Sequence, residues 1–134
     1  MCENLTMSTL TLLNIFAVSL GAALGACARW MLGLWLNVSA WPWGTLAVNL
    51  VGGYLVGVAL AVLAAHPEWP QWIRLAAVTG FLGGLTTFST FSAETVGLLE
   101  RGAYGTALGY VVVSVLGSFT LTALGLFSTQ ALLR

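Results

Sequence analysis

Gly80-Phe81-Leu82-Gly83-Gly84-Leu85-Thr86-Thr87-Phe88-Ser89-Thr90-Phe91-Ser92 lies in the middle of a long apolar segment. Lipid normally demands an unbroken helix there, because no water is present to satisfy free backbone groups. Yet the stretch carries the adjacent pair Gly83 and Gly84, then hydroxyls at Thr86, Thr87, Ser89, Thr90 and Ser92. Glycine loses the most entropy in a helix and tolerates positive φ. Serine and threonine offer the backbone local alternatives to the helical ladder. A break in the helix is therefore expected here. At membrane depth it survives only if it is buried in protein or lines a wet cavity.

Composition sets the class. Of 134 residues, 59% are hydrophobic and 6% charged, and the mean hydropathy is +0.97. Soluble domains are nearer a quarter charged, so a membrane-embedded chain with one domain over residues 1–134 is expected. Lysine is absent, and the only basic residues are Arg29, Arg74, Arg101 and Arg134. That excludes a nucleic-acid surface. Cys2 and Cys27 make no disulfide or metal framework, and Cys27, set among small residues, reads as a small core hydrophobe. The first residues lack the basic region of a cleaved signal peptide.

The expected fold class is all-α, with four transmembrane helices over about residues 10–36, 43–65, 72–99 and 104–133, the third broken near its middle. Each exceeds the roughly 20 apolar residues a span requires. The joining turns are short: residues 37–42 with Asn37, Ser39 and Pro42, then His66 to Pro70, then Glu100-Arg101-Gly102. Six tryptophans, Trp30, Trp35, Trp41, Trp43, Trp69 and Trp72, fall near segment ends, at headgroup level. Gly21 with Gly25, Gly53 with Gly57, and Gly105 with Gly109 put small residues at helical spacing, where backbones can approach closely in lipid.

Four spans place Arg74 and Arg134 on one side and Arg29 and Arg101 on the other, a tie of two against two. Orientation follows an excess of basic residues on one side, and none exists here. Copies inserted in opposite senses can pair, which predicts an antiparallel homodimer with a two-fold axis in the membrane plane.

Several polar groups stand where lipid penalises them. Asn49 lies inside the second span, as interhelical glue or as a donor facing a pore. Tyr110, Ser114 and Ser118 recur every four residues along one face of the fourth span. Glu94 is an acid well inside the third span, at a pore mouth or paired with an arginine. Arg29 could snorkel, pair with an acid, or attract anions at an entrance. Phe88 and Phe91, three apart, share nearly one face; they pack, or they turn their weakly positive ring edges towards a passing anion. His66 reads as an ordinary loop residue. These residues describe a dimeric membrane pore or carrier and leave the ion open: freed carbonyls suit a cation, while hydroxyls, amide NH₂ and ring edges suit an anion.

The chain resembles the Fluc family of small dual-topology fluoride channels. The resemblance is carried by Gly25 to Arg29 with Trp30, by Trp43-Gly44-Thr45-Leu46-Ala47-Val48-Asn49-Leu50-Val51-Gly52, by Gly80 to Ser92, and by Glu94. It implies passive fluoride export across the inner (plasma) membrane through two pores of an antiparallel homodimer. In that reading Asn49 hydrogen-bonds fluoride, and Phe88 and Phe91 line the pore with ring edges. Thr87, Ser89, Tyr110, Ser114, Ser118 and Glu94 belong to the polar track, and Arg29 sits near a vestibule. Gly83 and Thr86 give backbone carbonyls to a central structural Na⁺, the one cofactor implied. The partners are fluoride, Na⁺, the lipid bilayer and a second copy, with no nucleic acid. The reading implies no enzyme activity. The alternative is a proton-coupled exporter of small cations, of the dual-topology four-helix type, using Glu94. It is disfavoured because the first span holds no acid.

Overall fold

The computed structural model describes the backbone of residues 2–37 and 41–134, and side chains from Thr11 onward within those ranges. The expectations for Ser39, for Cys2 and for fine structure around residues 38–40 fall outside the described residues. Four stretches are long and apolar enough to span: Thr11–Leu36, Trp43–Ala65, Gln71–Glu100 and Tyr104–Leu132. The limits of the last three, and the end of the first, fall within a residue of those expected. The helices are α1 (Cys2–Leu36), α2 (Trp43–Ala65), α3 (residues 71–85), α4 (Phe88–Glu100) and α5 (Tyr104–Leu132). The third span is thus two helices, α3 and α4.

Backbone chemistry ends each helix. Asn37 Oδ1 accepts from the Gly44 N–H at 2.6 Å and satisfies one of the free donors that open α2. Pro67 and Pro70 hold the turn before α3, closed by Trp69 N–H to the His66 carbonyl at 3.2 Å. At the end of α4, Gly102 adopts φ +74°. Gly102 N–H then bonds the Leu99 carbonyl and Ala103 N–H the Leu98 carbonyl, both at 2.9 Å. This paired closure needs a left-handed residue, which glycine supplies without strain.

Two helix pairs form the body: α1 lies along α3, and α2 along α5. Both depend on bare glycine. A methyl on Gly84 would stand 2.5 Å from the Ala22 carbonyl oxygen, and one on Gly25 would collide with the Phe81 carbonyl. A methyl on Gly57 would strike the Thr122 carbonyl. Gly105 and Gly109 differ from expectation: no neighbour lies within 4 Å of the first, and only a Trp41 ring atom approaches the second. Those two glycines do not bring helices together within this chain. Cys27 is exposed rather than in the core, because Gly21 and Gly25 take the face of α1 that meets α3.

The first part of α3 is wide. Residues Leu75–Leu82 form a π-helix, followed by one α-helical turn over Gly83–Leu85. Wide turns of this kind cluster at functional sites.

Candidate functional site

The break falls at Thr86 and Thr87, not at the glycine pair. Gly83 has helical angles, φ −64° and ψ −35°. Thr86 (φ −79°, ψ 158°) and Thr87 (φ −154°, ψ 121°) are extended. Gly84 serves instead for the close approach to α1. Gly52, on α2, leaves the notch that takes the Thr86 methyl.

Asn49 spans the break. Its Oδ1 accepts from Thr87 N–H at 2.8 Å, and its Nδ2 donates to the Thr87 carbonyl at 3.0 Å. One side chain thus supplies both partners that the helical ladder withholds. A second N–H of the amide has no partner among the described residues. Thr87 also starts α4: its Oγ1 accepts from Thr90 N–H at 3.1 Å and donates to Thr90 Oγ1 at 3.0 Å. A threonine cap of this kind satisfies a free N–H of the first turn.

Beside the break runs a groove of about 400 Å³, lined by Asn49, Thr86, Thr87, Phe88, Phe91, Ser114, Ser118 and Thr122 among others. It gathers most of the expected pore residues from three helices. Ser114 is 5% exposed and its Oγ has no hydrogen-bond partner among the described residues. A buried hydroxyl without a partner carries a desolvation penalty, and the Ser114 hydroxyl lies in the wall of this groove. The phenyl rings of Phe88 and Phe91 stand 5.7 Å apart, tilted by 46°. Phe88 is 80% exposed, whereas Phe91 is 8% exposed and packs on Tyr110 with ring centroids 5.1 Å apart.

Glu94 and Tyr110 lie behind Phe91 rather than in the groove wall. Tyr110, wholly buried, donates from its hydroxyl to Glu94 Oε2 at 2.7 Å, and Thr45 Oγ1 donates to Glu94 Oε1 at 2.8 Å. Both carboxylate oxygens are therefore held by neutral donors, and no arginine pairs with Glu94 among the described residues. Ser89 is exposed outside the groove, its Oγ 3.3 Å from Thr87 Oγ1.

Arg29 occupies a second, smaller cavity of about 200 Å³ across the break, with Asn37, Thr45, Thr87 and Thr90. Its Nε donates to the Gly84 carbonyl at 3.0 Å. A cation at a helix C-terminus stabilises the terminal carbonyls. Gly83 is exposed on the surface of the chain, and Thr86 is half-buried with its Oγ1 on the Leu82 carbonyl at 2.9 Å.

Reading the sequence gave no role to Thr45 or Thr122. The signal existed for both. Thr122 continues the four-residue stripe of Tyr110, Ser114 and Ser118, and Thr45 stands one turn before Asn49. Thr122 Oγ1 donates to the carbonyls of Gly53 at 3.0 Å and Ser118 at 2.9 Å, which ties α2 to α5 at the end of the groove.

Four apolar spans, the third of them discontinuous, with rings and hydroxyls facing one groove, define a small multi-pass membrane protein. Residues 16–126 match the family described as CrcB-like protein, Camphor Resistance (CrcB). A protein of Bordetella petrii named "Fluoride-specific ion channel FluC" is 79% identical over 124 residues, covering 92% of this chain and 97% of the relative. Proteins of the same name from Bordetella pertussis (64% identity; 96% of this chain, 100% of the relative) and Pseudomonas aeruginosa (55%; 90% and 96%) also match. The chain belongs to this family, the Fluc family of the sequence resemblance, and the family is one of ion channels, not enzymes.

Proposed function

We propose that the chain is a passive fluoride-selective channel of the inner membrane, working as an antiparallel homodimer with two pores and a central structural Na⁺. The observation that carries this reading is the pairing of Asn49 and Ser114 in one groove with two phenyl rings. Asn49 keeps one N–H free after gripping Thr87, and Ser114 keeps its hydroxyl free. Two neutral donors can hydrogen-bond a small, hard anion without a fixed charge to trap it. Ring edges at Phe88 and Phe91 add weak positive potential without a fixed charge.

Two features support the paired arrangement. The arginines favour neither orientation, so copies of opposite sense can meet. Phe88 projects 80% exposed from the broken helix, poised to complete a pore wall with a second copy.

The cation fits the donors present. Among the described residues no cluster of His, Cys, Asp and Glu could hold a metal, so a cation site has to use neutral oxygens. The break provides them. The N–H groups that would close on the Gly83 and Thr86 carbonyls are those of Thr87 and Thr90, and these turn to Asn49 Oδ1 and Thr87 Oγ1 instead. Gly83 and Thr86 would hold Na⁺ with these freed carbonyls, two from each copy. The bound cation would supply a fixed positive charge that knits the crossing point. Thr87, Ser118 and Thr122 continue the polar wall, and Glu94 with Tyr110 and Thr45 braces Phe91 from behind.

The exporter reading receives no support from Glu94, whose oxygens are both engaged by neutral donors on α2 and α5. Liposome efflux decides between the two. Proteoliposomes loaded with KF should release fluoride rapidly when a K⁺ ionophore is added, and KCl-loaded vesicles should release no chloride. Release only under a proton gradient would replace the channel with a carrier.

A further inference from the structure

Several carbonyls at the end of α3 have named donors. Leu82's accepts from Thr86 N–H at 3.0 Å and from Thr86 Oγ1 at 2.9 Å. Thr87's is taken by Asn49 Nδ2. Gly84's is taken by Arg29 Nε, a contact that joins residues 55 apart in sequence. Gly83's and Thr86's have their usual donors drawn elsewhere. The carbonyls of Gly83 and Gly84 belong to the last turn and that of Thr86 to the break, and an arginine from α1 engages the Gly84 carbonyl.

We infer that Arg29 is a positioning residue for the cation site: by holding the Gly84 carbonyl it fixes the last turn of α3 and restricts the cation's oxygens to those of Gly83 and Thr86. The inference deepens the proposed function and rests on its Na⁺ site.

The geometry supports a specific role rather than general attraction of anions. The contact runs through Nε, the nitrogen nearest the arginine stem, so the guanidinium plane is fixed against the backbone. Its outer N–H groups remain for the small cavity with Asn37, Thr45 and Thr90. The charge lies at the negative end of α3, where it stabilises the carbonyls it touches. A charge-assisted hydrogen bond of this kind is about twice as strong as a neutral one. Gly83 and Gly84 lack side chains to stiffen the turn, and Arg29 adds to the hold that the contact of Gly84 with Ala22 and the Thr86 hydroxyl give it. Without Arg29 the Gly84 carbonyl would be free to swing towards the cation, and the two remaining ligands would lose their fixed spacing.

The test uses the purified full-length protein and reads Na⁺ binding through thermal unfolding, with Na⁺ replaced stepwise by N-methylglucamine at constant ionic strength. Na⁺ should raise the unfolding temperature of the wild type. Arg29→Gln should need about tenfold more Na⁺ for half of that rise, the loss expected of one charged hydrogen bond. Arg29→Lys, which keeps a charge but not the planar fork, should need about threefold more. Equal Na⁺ midpoints in all the proteins would overturn the inference and leave the Na⁺ site standing. A wild type indifferent to Na⁺ would remove the site itself, and the inference with it. Should Arg29→Gln fail to fold, wild type against Arg29→Lys decides alone, and coincident midpoints overturn the role.

Discussion

Asn49 grips Thr87 by both of its backbone polar groups, accepting from the N–H at 2.8 Å and donating to the carbonyl at 3.0 Å. A side chain of α2 thereby acts as the missing strand partner for two residues of extended backbone inside the membrane. This grip allows the third span to break without leaving unpaired backbone in lipid.

Asn49→Leu removes both bonds and leaves the Thr87 N–H and carbonyl unsatisfied. Each unpaired buried group costs about 1–3 kcal/mol. The variant should unfold at lower denaturant and conduct no fluoride. Asn49→Asp keeps the acceptor and loses the donor, so it should lie between the two in stability. A stable, conducting Asn49→Leu protein would refute the brace.

Phe88→Ile and Phe91→Ile should both abolish most fluoride flux, and they should differ in stability. Phe88 is 80% exposed, so its replacement should leave the unfolding midpoint of the chain unchanged. Phe91 packs on the buried Tyr110, and a shape change there should cost about 1 kcal/mol. Flux measured by fluoride electrode and unfolding followed by tryptophan fluorescence read the two effects separately. Full flux in both variants would end the ring-edge role.

Gly25→Ala and Gly97→Ala form a contrasting pair. A methyl at Gly25 meets the Phe81 carbonyl and the Leu85 amide, both backbone atoms that cannot yield. That variant should not give a folded protein on size-exclusion chromatography. A methyl at Gly97 meets nothing within 4 Å on a regular helix. It should be tolerated, with a gain of up to about 1 kcal/mol from the helix preference of alanine.

Outside the membrane, Glu68 Oε1 lies 3.0 Å from His66 Nδ1, and His66 stacks on Trp69 at 4.6 Å between centroids. The backbone N–H of Glu68, and then the His66 side chain, hold its carboxyl below the usual value of 4.5. A depressed carboxylate favours the folded state above its unfolded value, and the effect fades as pH falls through the folded one. Glu68→Gln should therefore flatten the fall in unfolding temperature below about pH 4.5 and leave flux at neutral pH unaltered. An identical acid profile in the variant would show that the loop contact contributes nothing.

The limits of the four spans were legible in the sequence, because a run of apolar residues of the right length has few other homes. So were the stripe of Ser114 and Ser118, the oddity of Asn49, and the need for a break between Gly80 and Ser92. The partners of Glu94 were not legible. Thr45 and Tyr110 come from different helices, and only packing brings them to one carboxylate.

The sequence by itself determined that a membrane-spanning helix would be interrupted inside Gly80 to Ser92 and that polar groups would cluster near the interruption. Tertiary structure decided where. Local preference left the glycine pair and the hydroxyl run equally open, yet Gly83 and Gly84 stay helical, and the bare backbone of Gly84 lies against α1. The chain opens at Thr86 and Thr87, where Asn49 of α2 supplies replacement hydrogen bonds and Gly52 leaves room for a methyl. A helix in lipid breaks where another helix can satisfy the freed backbone, and that position is a property of the packed bundle.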